Sequence, residues 1–158
     1  MSHVRRILST VAAGVLVTGA MTAAISAPVT SGNTARATAA DCKSEYGFSR
    51  ISYDKHDGTS VYTVPLGDER NVDLYFAPMY GALYGYARIS GKTQKGDLVW
   101  LDWSDARPGW MQCGPFAVQD AGFPNTSAAK KRDAVPEHWI RACGRAQGHG
   151  SKCGSWWH

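Results

Sequence analysis

The feature that most restricts the fold is a series of short β-branched and aromatic runs separated by glycine, proline and polar turns. Residues 60–66 and 71–77 are two such runs, and the turn-rich link at residues 67–70 predicts a β-hairpin. Pro65 cannot donate a ladder hydrogen bond, which predicts that the first of these strands lies at a sheet edge. From Asp41 onwards no run has the 3.6-residue apolar period of a helix, so the sequence predicts an all-β fold.

A second hairpin is predicted from residues 83–89 and 98–103, which flank the glycine-containing link at residues 91–97. Proline and polar residues indicate a long surface loop at residues 121–137. Further strands are predicted at residues 116–119, 139–143 and 154–157. Together these elements predict a compact antiparallel sandwich or barrel of about seven strands.

The N-terminal part has the pattern of a secretory signal peptide. Arg5 and Arg6 precede an uncharged apolar run at residues 7–25, and small residues follow it. Cleavage near Ala27 or near Ala39 divides the chain into a signal and cleavage zone at residues 1–40 and a secreted β domain at residues 41–158. The alternative is a membrane anchor, but the run is diluted by Ala, Gly and Thr and no basic flank follows it. We therefore expect an extracellular protein that is free of the membrane after cleavage.

The charge of the chain argues against a nucleic-acid partner. Three of the 17 basic residues and none of the 13 acidic ones lie in the first 40 residues, which leaves 14 basic against 13 acidic residues beyond them. The run Lys130, Lys131 and Arg132 is the one basic cluster, and three charges in a polar loop are typical of a solvated surface. A nucleic-acid interface needs a larger basic face.

All four cysteines lie in the exported part, and an even number in an oxidising compartment indicates two disulfides. Four cysteines allow three pairings. The glycine-rich link between Cys143 and Cys153 resembles a hairpin loop, which favours that pair and leaves Cys42 with Cys113. A zinc site formed by Cys143, Cys153, His149 and His158 is the alternative, although the chain lacks paired Cys-x-x-Cys elements. No metal or cofactor is predicted.

Strand alternation places several aromatic and charged side chains on common faces. Tyr84, Tyr86 and Arg88 share one face of their strand, whereas Leu83, Ala87 and Ile89 share the other, which we assign to the core. Trp100 and Asp102 share a face of the next strand. If the two strands pair, the five residues Tyr84, Tyr86, Arg88, Trp100 and Asp102 form a ligand-binding platform. The alternative is cross-strand packing, in which Asp102 pairs with Arg88.

One set of residues carries a resemblance to a known group. The set comprises the strand Val99-Trp100-Leu101-Asp102-Trp103-Ser104, Trp110, Cys113-Gly114-Pro115-Phe116, Arg141-Ala142-Cys143-Gly144, Cys153 and Trp156-Trp157. It resembles small uncharacterised secreted proteins of actinobacteria and is similar to a β-rich module beside some secreted glycoside hydrolases. The resemblance covers about residues 60–158. It implies a β fold, export, two disulfides and contact with cell wall or polysaccharide, and it assigns no catalytic residue.

These observations favour a secreted non-catalytic binding module for cell-wall or polysaccharide ligands. A protease inhibitor or other protein-directed factor is the alternative, with the loop at residues 144–152 as its candidate contact. A small hydrolase comes third, because His56 beside Asp54 and Asp57 has the composition of a solvated turn rather than of a catalytic group. The sequence makes no prediction about oligomeric state.

Overall fold

Ten strands form two antiparallel sheets in the computed structural model, which describes Cys42 and residues 46–105, 110–136 and 138–158. The predicted signal peptide therefore lies outside the described residues. In the first sheet the order is β1-β8-β4-β3-β2, with β7 also pairing with β4, and in the second it is β10-β9-β5-β6. The strands are β1 (Phe48–Ser49), β2 (Thr59–Gly67), β3 (Arg70–Met79), β4 (Ala82–Gly91), β5 (Leu98–Asp105), β6 (Met111–Ala117), β7 (Asn125–Thr126), β8 (Ala129–Lys131), β9 (His138–Arg145) and β10 (Lys152–Cys153).

The main core lies between the two sheets. Val72, Leu74 and Ile89 of the first sheet and Val99 and Leu101 of the second are all fully buried in one cluster. The all-β sandwich class is thus confirmed. The described residues contain ten strands rather than about seven, because four strands have only two or three residues and are too short to show alternation in the sequence.

The first hairpin is confirmed. β2 pairs antiparallel with β3, and β2 lies at the edge of the first sheet, where Pro65 needs no ladder partner. Asp68 and Glu69 form the turn with φ of 52° and 58°. Positive φ at both central residues is the conformation that tight hairpins prefer, because its twist matches that of the strands.

The second hairpin prediction is wrong, because β4 and β5 belong to different sheets. Their link crosses from one sheet to the other and is held by the fully buried carboxylate of Asp97. Asp97 accepts hydrogen bonds from the backbone N–H groups of Gln94 and Gln147, both at 2.7 Å, and from Arg70 Nη1 at 3.1 Å. These bonds direct the chain away from β4 and into the second sheet.

Residues 121–137 are only in part the surface loop that the sequence predicts. They contain β7 and β8, and the segment from Thr126 to Lys130 is buried. The Lys130 ammonium lies 4.9 Å from the centroid of the Trp103 ring, and burial lowers the pKa of this amine. Polar and small residues fill these strands, which is why their pattern resembles a loop.

Both predicted disulfides are confirmed. Cys42 is joined to Cys113, and Cys143 is joined to Cys153, its direct partner in the pairing of β9 with β10. The zinc alternative is contradicted, since both of its cysteines are oxidised. His149 lies 2.8 Å from an Asp68 carboxylate oxygen, and His158 packs against Trp139.

Candidate functional site

The five residues of the predicted ligand face do not share a surface. Tyr84, Tyr86 and Arg88 lie on β4 in the first sheet, whereas Trp100 and Asp102 lie on β5 in the second. Tyr86 and Asp102 are fully buried, Tyr84 and Trp100 nearly so, and Arg88 is half-buried. The predicted platform is therefore wrong as a geometric arrangement.

A chain segment explains why the Tyr84 and Tyr86 face is closed. Residues 51–57 pass over it: the Tyr86 hydroxyl donates to the Asp57 carbonyl at 2.7 Å, and Ile51 packs against the buried cluster that contains both tyrosines. Tyr75 of β3 stacks on Tyr86 with ring centroids 5.4 Å apart. This face forms a second small core, as the packing alternative predicts.

The outer face of the second sheet carries a different set of residues, assembled by the pairing of β5 with β9. Three pairs lie directly opposite one another on this face: Trp100 with Cys143, Asp102 with Arg141, and Ser104 with Trp139. Asp102 thus has an arginine partner, but the partner is Arg141 rather than Arg88. Arg141 Nε donates to Asp102 Oδ2 at 2.8 Å.

Asp102 is a buried carboxylate with incomplete hydrogen bonding. Its side chain has no exposed area, and the disulfide sulfur of Cys143 lies 3.2 Å from Oδ2. Among the described residues, Oδ1 of Asp102 and the indole nitrogen of Trp100 are buried without a hydrogen-bond partner. Burial raises the pKa of Asp102 to about 6, although the hydrogen bond and the charge of Arg141, and the neighbouring Trp100 side chain, act in the opposite direction.

The Arg141 guanidinium lies against two tryptophan rings. Its central carbon is 4.4 Å from the centroid of the Trp156 ring and 5.2 Å from that of the Trp110 ring, both within cation–π distance. Trp110 immediately precedes β6. Trp156 follows β10 and precedes Trp157, whose backbone pairs with Ile140 of β9. Arg141, which Asp102 orients, contacts both rings.

An open cleft of about 440 Å³ lies beside this cluster. We call it the tryptophan cleft; Ser104, Trp110, Trp139 and Trp156 line it. The three rings are half-buried, and His158 packs on Trp139 with centroids 4.3 Å apart. The cleft combines flat apolar surfaces with a hydroxyl group and an adjacent cation.

Sequence reasoning identified Trp100 and Asp102 but missed the residues that line the cleft. The opposite charges of Asp102 and Arg141, and the alternation that puts Trp139, Arg141 and Cys143 on one face of β9, were the available signals. They become useful only once β9 is known to be the neighbour of β5. The predicted strand at residues 154–157 contains Trp156, and the structure has a single β-bridge there, between Trp157 and Ile140. Trp110 lies outside the predicted strands.

The sequence also suggested two other candidate regions, the turn around His56 and the loop at residues 144–152. His56 lines an open groove, where its Nδ1 lies 3.0 Å from the Asp54 carbonyl and Lys55 pairs with Asp57 at 2.7 Å. These are the contacts of a solvated turn. The loop at residues 144–152 is held against the molecule by Gln147, whose side chain donates to the Lys95 carbonyl at 2.6 Å.

Comparisons with protein-family models, curated protein sequences and solved structures give no match to this chain. The described residues contain no helix that is long and apolar enough to cross a membrane. The two disulfides are compatible with an extracellular protein.

Proposed function

We propose that the chain is a secreted, non-catalytic binding module that attaches to polysaccharide, including cell-wall polysaccharide, through the tryptophan cleft. The observation that carries the proposal is the grouping of three half-buried tryptophans around one open cleft. The ligand surface is thus assigned to Trp110, Trp139 and Trp156 and not to the face expected from the sequence.

The chemistry of the lining supports a sugar ligand. Pyranose rings present flat C–H faces bordered by hydroxyl groups, and indole rings offer flat apolar surfaces of similar width. Binding sites of this kind combine a mainly apolar, aromatic wall with a few polar groups that fix orientation. The cleft is open rather than enclosed, which suits a polymeric ligand.

The fixed positions of the rings also support binding. Trp110 and Trp156 lie against Arg141, which Asp102 orients from the buried side, and the Cys143–Cys153 disulfide holds the segment that leads to Trp156. Side chains that are already ordered lose little conformational entropy when a ligand binds. The N-terminal signal pattern and the disulfides agree with a role outside the cell.

The test is retention of the purified exported chain on a panel of insoluble polysaccharides and on isolated cell walls. Trp139→Ala and Trp156→Ala should each weaken binding at least fivefold, about 1 kcal/mol or more, because each removes a stacking surface. Tyr53→Ala is the matched control, since Tyr53 is exposed and lies in the segment that covers the first sheet. Unchanged retention of both tryptophan variants, or no retention of the wild type on any polymer, contradicts the proposal.

A further inference from the structure

We propose that the tryptophan cleft prefers polysaccharides that carry carboxylate groups, and that Arg141 is the residue that recognises the carboxylate. The inference rests on the proposed function and adds the chemical class of the ligand. Arg141 does not itself line the cleft, but its guanidinium contacts Trp110 and Trp156, two of the rings that do. A carboxylate on a sugar bound in the cleft would reach the guanidinium past the edges of these rings.

The hydrogen-bonding state of Arg141 supports this preference. A guanidinium has five N–H donors, of which the Nε–H is used by Asp102. Among the described residues, the bond to Asp102 is the one hydrogen bond that the Arg141 side chain donates, and 22% of this side chain is exposed. Four donors in a planar fork therefore remain for a ligand.

The arrangement favours a carboxylate over a hydroxyl group. A carboxylate accepts two parallel N–H bonds from a guanidinium, and such charge-assisted bonds are about twice as strong as neutral ones. A uronic-acid residue offers a ring face and a carboxylate on the same pyranose. It can therefore stack on an indole ring and accept from Arg141 at the same time.

Asp102 orients the guanidinium of Arg141 and offsets its positive charge. Its carboxylate is fully buried and accepts the Nε–H of the guanidinium, so the Nη groups are not used by this bond. The ionised carboxylate also offsets the positive charge of Arg141. Removing that negative charge while keeping an oxygen acceptor should therefore strengthen the binding of an anionic polymer.

The first experiment uses the wild-type protein. Affinity is measured for polygalacturonate, alginate and hyaluronan, each compared with its carboxyl-reduced form, in which every uronate is converted to a neutral sugar of the same linkage. We expect at least one acidic polymer to bind fivefold or more tightly than its reduced form, with a preference that falls as salt is added. Equal binding of all matched forms overturns the inference and leaves the binding module intact, whereas no binding to any polysaccharide overturns both.

Variants at the ion pair then assign the preference to Arg141. The double variant Asp102→Asn with Arg141→Gln replaces the ion pair by an uncharged pair of similar size, so no charge is left buried without a partner. It should bind acidic and reduced forms within twofold of each other. Asp102→Asn alone should bind the acidic form more tightly than the wild type does, by about twofold or more. A double variant that keeps the full preference overturns the assignment.

Discussion

At the scale of single residues, the ion pair of Asp102 with Arg141 joins a fully buried carboxylate to a partly exposed guanidinium. Buried carboxylates are costly unless their oxygens are fully hydrogen-bonded, yet Oδ1 of Asp102 has no partner among the described residues. Two apolar residues of the same volume could be at least as stable. A role in positioning Arg141 gives a reason for this residue that packing alone does not supply.

The raised pKa of Asp102 predicts a pH dependence of stability. The pKa is about 6 in the folded state, against 3.8 for an unperturbed aspartate. Between these values the folded state binds more protons than the unfolded state, so the contribution of this group to the free energy of unfolding falls as pH rises. The loss is on the order of 3 kcal/mol and should be complete above about pH 7.

Asp102→Asn tests this dependence, because asparagine accepts the hydrogen bond from Arg141 without ionising. Denaturant unfolding of both proteins from pH 4 to pH 7 gives the difference in free energy of unfolding. That difference should shift in favour of the variant across this range. A difference that stays constant would show that the carboxylate does not titrate between pH 4 and pH 7.

At the scale of strands, Gly85 of β4 lies against Ile140 of β9 in the opposite sheet. A Cβ atom added at Gly85 would lie 2.2 Å from Ile140 Cδ1 and 3.1 Å from Phe76 Cε1. Gly85 lies on the same face as Ala87 and Ile89, which point into the core. The absence of a side chain at this position allows Ile140 to fill the space between the sheets.

Gly85→Ala should therefore destabilise the fold by about 1 to 3 kcal/mol, the usual cost of overpacking a core. Ile140→Val removes the δ-methyl group that meets the new Cβ, so the double variant should be more stable than the sum of the two single changes predicts. Thermal and denaturant unfolding of the four proteins measures the coupling. Strict additivity would show that Ile140 is not the obstructing residue.

The sequence predicts some of these elements and not others for a physical reason. A four-residue turn brings β3 back beside β2, so the local pattern predicts the β2–β3 hairpin and the edge position of the strand that contains Pro65. The link from Gly91 to Asp97 is long enough either to form a hairpin with β4 or to cross to the second sheet. Asp97 determines the second outcome through hydrogen bonds to Arg70 and Gln147, which are 27 and 50 residues away in the sequence.

Local sequence pattern predicts the candidate site only in part, for the same reason. Alternation along β5 places Trp100 and Asp102 on one face, but the identity of the neighbouring strand depends on pairing with β9, which lies about 40 residues further on. Trp110 lies just before β6, and Trp156 lies between β10 and the bridge of Trp157 with Ile140, so both rings depend on non-local contacts. Local pattern therefore identifies the buried carboxylate and misses the rings beside it.

At the scale of the molecule, the two disulfides close loops of very different length. The Cys42–Cys113 bridge closes a separation of 71 residues and joins the start of the described chain to β6 in the main core. The Cys143–Cys153 bridge closes a separation of only 10 residues. In the chain-entropy description the long loop contributes about 4 kcal/mol and the short one about 3 kcal/mol.

The short bridge has a second role that the long one lacks, because Arg141 and Trp156 lie two residues before Cys143 and three after Cys153. We expect Cys143→Ala with Cys153→Ala to lower stability by about 3 kcal/mol and to weaken polysaccharide binding severalfold, since Trp156 loses its fixed position. Cys42→Ala with Cys113→Ala should lower stability by about 4 kcal/mol and leave binding unchanged at temperatures where the variant is folded. Unfolding curves and polymer retention on the same two proteins make the comparison. Binding lost from the folded Cys42 and Cys113 variant, or fully kept by the other, would contradict this separation of roles.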